Sequence, residues 1–240
     1  MIGAFNITSD LAYNTSIGYY AGAYMDSVEF VSAVGAWAGH RNQGKENTFM
    51  GYNSGYGFVG SGLTGIENSG FGSHTLVFNT TGKSNTAIGL GALYANRTGN
   101  GNVGIGTRAL ANAQNYHYNI AIGDSAMYGN NADGNVAIGT FSMYNNNTGT
   151  FNTATGNYAL KFNSGGHRNV AMGDSTYYNN TNGSYNTGIG YRATNGSSFG
   201  INSTAIGAYA LVNQDNSMVL GSINGVNTAT ADTKVGIGTT

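Results

Sequence analysis

The chain has 240 residues, with 40 glycines, no proline, no cysteine, 8% charged residues and a formal net charge of −1. The absence of cysteine excludes a disulfide framework and thiol chemistry. The near-neutral charge excludes an electrostatic grip on nucleic acid or an anionic membrane, and no apolar run approaches the roughly 20 residues that span a bilayer.

No charged-then-apolar leader opens the chain. The first residues, MIGAFNITSDLAYNTSIGYY, read as the inside of a repeat, so an excised fragment is expected. Gly, Asn, Ser and Thr at this level could mean disorder, but 17 Tyr, 10 Phe and many Ile, Val and Ala argue for order imposed by a regular pattern. That pattern is a pentad closed by glycine. It recurs at Gly18, Gly35, Gly51, Gly72, Gly89, Gly106, Gly123, Gly139, Gly156, Gly173, Gly190, Gly207, Gly221 and Gly238, mostly 16 or 17 residues apart, with a 21-residue step before Gly72 and a 14-residue step before Gly221.

Read by column, the pentad begins with Asn in ten copies, has a mixed second residue (Thr86, Val103, Ile120) and a small third one (Ala87, Gly104, Ala121). The fourth is large and apolar in every copy but Thr155. Side chains alternate along a strand, so columns two and four share one face and columns one, three and five the other. The expectation is that the β-branched face is buried and that the small face lets another backbone approach. The residues predicted to build the stack are Asn85, Ile88, Gly89, Asn102, Ile105, Gly106, Asn119, Ile122, Gly123, Asn135, Ile138 and Gly139, with the asparagines as a hydrogen-bonded ladder. A second apolar signal follows each glycine (Ala92-Leu93, Ala109-Leu110, Ala159-Leu160) and is expected to form a short strand, before a polar turn such as NRTGNG.

A 17-residue unit cannot bury its own apolar face, whereas stacked units can. The predicted fold is therefore all-β: a parallel β-solenoid of about 14 turns, each about 17 residues long, with turns roughly 4.8 Å apart. Residues 1–66 read as irregular turns that form a cap or a tip, 67–213 as the regular repeats, and 214–240 as an exit segment towards a further domain, all in one continuous repeat domain. The uncovered small face predicts a homo-oligomer.

The pentads Asn85-Thr86-Ala87-Ile88-Gly89 and Asn135-Val136-Ala137-Ile138-Gly139 resemble the head repeats of YadA-like trimeric autotransporter adhesins. The longer unit NTAIGLGALYANRTGNG is similar to repeats of phage tail fibres and related bacterial surface fibres. The final DTKVGIGTT (Asp232 to Thr240) resembles the segment preceding an endosialidase-type intramolecular chaperone. This resemblance implies a homotrimeric, left-handed β-roll in an extracellular fibre, on a virion tail or a bacterial surface, that serves in attachment. Its loops are longer than those of the adhesin head, and no coiled-coil heptads or membrane anchor accompany them.

Tyr with small polar residues is a composition that suits ligand contact, and sugars pack their C–H faces on aromatic rings. Two candidate ligand-binding sets follow. The first lies in residues 19–58, which carry Tyr19, Phe30 and Phe58 together with the candidate ligand contacts Tyr20, Tyr24, Trp37, His40, Arg41, Tyr52 and Tyr56, beside the glycine-rich GYNSGYGFVGSGLTG. The second is a set of loop rings and bases, Tyr116, His117, Tyr118, Phe151, Phe162, His167, Arg168, Tyr185 and Phe199, read either as a recognition stripe or as rings stacked between neighbouring turns. The expected partners are further copies of the chain and a cell-surface glycan or surface protein, with neither nucleic acid nor membrane insertion. The alternative function is a rigid spacer with recognition elsewhere.

No catalytic residues are expected. A glycosidase-type mechanism needs two carboxylates about 5–10 Å apart, and the ten acids are mostly scattered singly, with Asp26 and Glu29 the closest pair. No metal or cofactor is expected either. The four histidines lack ligand spacing, and fragments such as Gly104-Ile105-Gly106 belong to the repeat and not to a nucleotide fingerprint.

Overall fold

The computed structural model describes residues 13–25, 28–57, 63–222, 228 and 230. It falls into two compact units, residues 1–131 and 132–240. The pentad at Gly238, the segment DTKVGIGTT, Asp26 and Phe58 lie outside the described residues.

In the first unit every described pentad forms a three-residue strand: β1 (Thr15–Ile17), β2 (Ser32–Val34), β3 (Thr48–Met50), β4 (Ser69–Phe71), β5 (Thr86–Ile88), β6 (Val103–Ile105) and β7 (Ile120–Ile122). Each pairs in parallel with the next, and equivalent residues face each other: Thr86 opposite Val103, Ile88 opposite Ile105. In the second unit β8 (Val136–Ile138), β9 (Thr153–Thr155), β10 (Val170–Met172), β11 (Thr187–Ile189), β13 (Thr204–Ile206) and β15 (Met218–Leu220) stack in the same way. A two-residue pair, β12 (Thr194–Asn195) with β14 (Leu211–Val212), adds a second parallel ladder there. The protein is thus an all-β parallel solenoid, one pentad to a turn.

The strand face is the reverse of the sequence expectation. Columns one and three point inward: Asn85, Asn119, Asn135, Ala87, Ala121 and Ala137 are fully buried. Columns two and four point outward, leaving Ile17, Met50, Phe71 and Ile88 exposed in the first unit and Ile138, Met172, Ile189 and Leu220 in the second. The cause is the narrow cross-section. A Cβ on Gly104 would lie 3.1 Å from the Ala109 carbonyl oxygen and 3.3 Å from Leu93 Cγ, so even a methyl group is a tight fit at this point of column three. Opposite it, the core is completed by the A-L segment, with Ala92, Leu93, Ala109, Leu110 and Met127 buried in the first unit and Ala159, Leu160 and Tyr177 in the second.

Among the described residues that A-L segment is a bend in most turns and a strand only in β12 and β14. Leu93, Leu110 and Met127 have φ of 51°, 53° and 50°. This left-handed conformation costs an L-residue about 1–2 kcal/mol, which burial of a large apolar side chain, worth about 1.5–3 kcal/mol, offsets. The bend is still laddered: the Leu93 amide donates to the Ala109 carbonyl at 3.0 Å and the Ala95 amide to Ala111 at 2.9 Å. Parallel hydrogen bonding therefore continues around the turn without extended backbone.

The asparagine ladder forms as expected. Asn68 Oδ1 accepts from the Asn85 backbone N–H and Nδ2 at 3.1 and 3.0 Å, and Asn85 Oδ1 accepts from the Asn102 N–H at 2.9 Å. Asn135, Asn152, Asn169 and Asn186 repeat this in the second unit. A second buried ladder was not anticipated: Asn96 Nδ2 donates to Asn79 Oδ1, and Asn163 Nδ2 to Asn146 Oδ1. Buried amides are tolerable here because their Nδ2 donors are all spent on ladder oxygens and backbone carbonyls, although Asn96 Oδ1 and Asn180 Oδ1 are buried without a partner.

Candidate recognition surfaces

The first candidate set is assembled by stacking of successive turns in the first unit. Tyr20 and Trp37, each second after a pentad glycine, stack with ring centroids 4.6 Å apart and 5° between planes. His40 and Tyr56, each fifth after a glycine, stack at 4.8 Å and 6°. The two stacks meet edge-on, with Trp37 5.0 Å from His40 and 6.1 Å from Tyr56. Tyr24 closes one side, 5.4 Å from His40, with the Arg41 guanidinium 4.8 Å over its ring. The structure therefore joins six of the seven predicted residues. Tyr52 is left out and packs on His74 at 5.2 Å. Tyr19, from the same predicted region, joins them edge-on to Tyr20 and Trp37.

His40 is the polar centre of this cluster and is 3% exposed. Burial, reinforced by the Arg41 charge, lowers its pKa below the usual 6.5, so the ring is held neutral. Its Nδ1 and the Nε of Arg41 are buried without hydrogen-bond partners. Around this buried centre Tyr19, Tyr20 and Tyr24 stay exposed. The chemistry available is that of a rigid, aromatic, weakly basic contact surface.

The second set divides between stripe and scaffold. In the first unit Tyr118 is 71% exposed, and its ring covers the Gly101 backbone. In the second, Phe151, Arg168 and Tyr185 occupy one column on three successive turns, with the Arg168 guanidinium 5.7 Å from the Phe151 ring and 5.6 Å from the Tyr185 ring. Arg168 Nη1 also donates to the Tyr185 hydroxyl at 3.1 Å. His117 and His167 are part of the frame. Their Nδ1 atoms accept the backbone N–H of Asn100 and Thr150, each at 3.1 Å, which places the ring proton on Nε2. Tyr116 contributes its backbone carbonyl, which accepts from Asn102 Nδ2 at 2.7 Å. Phe199 is exposed.

One concentration of side chains in the second unit escaped the sequence reading except for Phe162. The Lys161 ammonium lies 5.0–5.6 Å from the rings of Phe141, Tyr158, Phe162 and Tyr178. Counting from each glycine would have found it, since Phe141 and Tyr158 share the second place after the pentad and Lys161 and Tyr178 the fifth. Among the described residues no group of three or more His, Cys, Asp or Glu side chains is placed to hold a metal ion, and no helix is long and apolar enough to cross a membrane. Compared with known proteins, the chain matches no family model, no curated sequence and no solved structure. What fold and surface define is a class: a parallel β-solenoid repeat protein with an apolar strand face and aromatic, basic bends.

Proposed function

We propose that the chain is a segment of a homotrimeric extracellular fibre that attaches to a cell-surface ligand, a glycan in the first instance. The observation that carries the reading is the column of exposed apolar side chains on the strands, seen in Ile17, Met50, Phe71 and Ile88 of one unit and in Ile138, Met172, Ile189 and Leu220 of the other. An apolar ladder repeating at the strand spacing is matched along its length by a partner with the same spacing. Another copy of this chain supplies it. The aromatic and basic residues occupy other columns, on the bends, and so stay available when strand faces are covered. Several copies of a weak site on one rigid support then raise the effective concentration of binding groups.

The spacer reading is favoured by one observation: the rings of Tyr20, Trp37, His40 and Tyr56 are largely spent on each other. Two measurements separate the readings. Light scattering is expected to give the mass of a trimer, reduced to that of a monomer by the double variant Ile88→Glu, Ile138→Glu. A glycan array is expected to show binding to a defined sugar class. A monomeric wild type overturns the fibre, and a trimer that binds no glycan leaves the spacer.

A further inference from the structure

Aligning the second unit by its glycines places Phe141, Tyr158, Ser175, Arg192 and Tyr209 in one column, all left-handed with φ between 53° and 59°. Phe141 and Tyr158 stack, 5.6 Å apart with 12° between planes. The next residue is Ser175, far smaller than a ring, so the stack stops. The space it leaves is a cavity of about 400 Å³ lined by Tyr158, Ser175, Tyr178, Asn179, Arg192 and Thr194. That volume lies within the roughly 300–1,000 Å³ of small-molecule sites.

The lining has a definite chemistry. Tyr158 and Tyr178 offer ring faces, and the same two rings flank the Lys161 ammonium at 5.1 and 5.5 Å. The Arg192 guanidinium is carried over the Tyr191 ring, 5.3 Å from its centroid. Ser175 Oγ donates to Asp174 Oδ1 at 2.7 Å, which leaves the Ser175 oxygen free to accept. Asn179 and Thr194 add an amide and a hydroxyl. Two cations beside one carboxylate make the neighbourhood net positive.

We propose that this cavity binds a carboxylate-bearing pyranose unit of a polysaccharide. The C–H face of the sugar packs on Tyr158 and Tyr178, its hydroxyls meet Ser175, Asn179 and Thr194, and its carboxylate takes the planar fork of Arg192, a geometry that lysine cannot reproduce. Lys161, held among four rings by cation–π attraction, adds positive potential and keeps the rings in place. The proposal rests on the glycan-binding reading above and names both a ligand class and a site remote in sequence from Trp37.

The test is calorimetric titration of the full chain with β-1,4-linked tetrasaccharides of glucuronic acid and of glucose. The acidic tetrasaccharide is expected to bind at least ten-fold more tightly than the neutral one. Arg192→Gln should bring that ratio to two-fold or less. Ser175→Tyr should restore the ring stack, fill the cavity and abolish binding. Its fold is safe because Tyr20, Tyr158 and Tyr209 already occupy this place with φ of 54°, 58° and 59°. Trp37→Ala should change neither affinity. Equal affinity for the two sugars overturns the proposal, as does an acidic preference that survives Ser175→Tyr. Glycan binding removed by Trp37→Ala but untouched by Ser175→Tyr leaves the general reading standing and sinks this site. A folded wild type that binds no glycan at all sinks both.

Discussion

Asn85 and Asn96 donate to a single oxygen: their Nδ2 groups lie 2.8 and 3.1 Å from the Gly99 carbonyl. Asn152 and Asn163 do the same at Gly166, at 2.8 and 2.9 Å. The two amide ladders are thus tied together once per turn through a backbone carbonyl. Replacing Asn85 by Ala strips a buried acceptor from the Asn102 amide, at about 1–3 kcal/mol. Replacing it by Asp keeps that acceptor but buries a charge and turns the Nδ2 donor into an oxygen set against the Gly99 carbonyl and Asn68 Oδ1. Thermal or urea unfolding should find Asn85→Asp less stable than Asn85→Ala by at least about 2 kcal/mol. Equal stabilities would refute the claim that the Asn85 side chain is buried against two acceptor oxygens.

Two glycines separate conformational strain from close approach. Gly91 has φ of 65°, and its nearest foreign atom to an added Cβ would be 3.8 Å away. Gly91→Ala should cost only the left-handed penalty of about 1–2 kcal/mol. Gly106 has φ of 127°, and a Cβ there would lie 2.5 Å from the Gly123 carbonyl oxygen of the next turn. Gly106→Ala should cost at least about 4 kcal/mol, the range reserved for a specific steric conflict. Similar unfolding midpoints for the two variants would refute the stacking explanation for the pentad glycine.

The contrast between these glycines bears on what the chain discloses before it is folded. The period, the parallel register and the hydrogen-bonded Asn ladder were all legible, because each is a demand of backbone geometry repeated in Asn85, Asn102, Gly89 and Gly106; the burial of that Asn column was not. The facing was not. Alternation says that Ile88 and Ala87 point opposite ways, and the usual preference for burying Ile chose wrongly. Clues to the narrow core were present as paired compensations. Phe49 replaces the usual small residue of column three, and Gly55 and Gly70 stand where their Cβ atoms would strike its ring. Tyr177 replaces Leu, and Gly188 makes way for it. Of the candidate sites, the Trp37 cluster was visible as a crowd of aromatics. The Lys161 cage was not, because its members are adjacent only after the turns are aligned.

Tyr177 gives the core a test at alkaline pH. It is fully buried, and its hydroxyl donates towards the Thr187 and Ser203 carbonyls, each at 3.2 Å. Burial raises its pKa from 10.0 to about 12. Below pH 10 the phenol is neutral in both folded and unfolded chains. Between pH 10 and 12 the unfolded chain loses the proton first, so stability falls as pH rises, by roughly 2–3 kcal/mol over the window. Wild type should lose this stability relative to Tyr177→Phe when urea midpoints are compared at pH 9 and 12. Parallel pH profiles would contradict the burial.

His40 gives the opposite sign in acid. Its lowered pKa means that both states are neutral above about pH 6.5. As pH falls through that value the unfolded chain takes up a proton that the folded cluster resists, so stability is lost with acidification. His40→Phe, which keeps a ring on Tyr56, should flatten the acid limb of the melting profile between pH 7 and 5. An unchanged limb would show that the imidazole is not held neutral.

The step from β3 to β4 takes 21 residues and that from β13 to β15 only 14, yet Thr48 still faces Ser69 and Thr204 still faces Met218. Residues added or removed between rungs are absorbed by the bends and never reach the ladder, at an entropic cost of about 0.6 kcal/mol per doubling of loop length. Support and decoration therefore diversify independently. An insertion that would shift the reading frame of most β-sheets is here a local edit, so a lineage can rewrite what its surface touches while inheriting the scaffold unchanged.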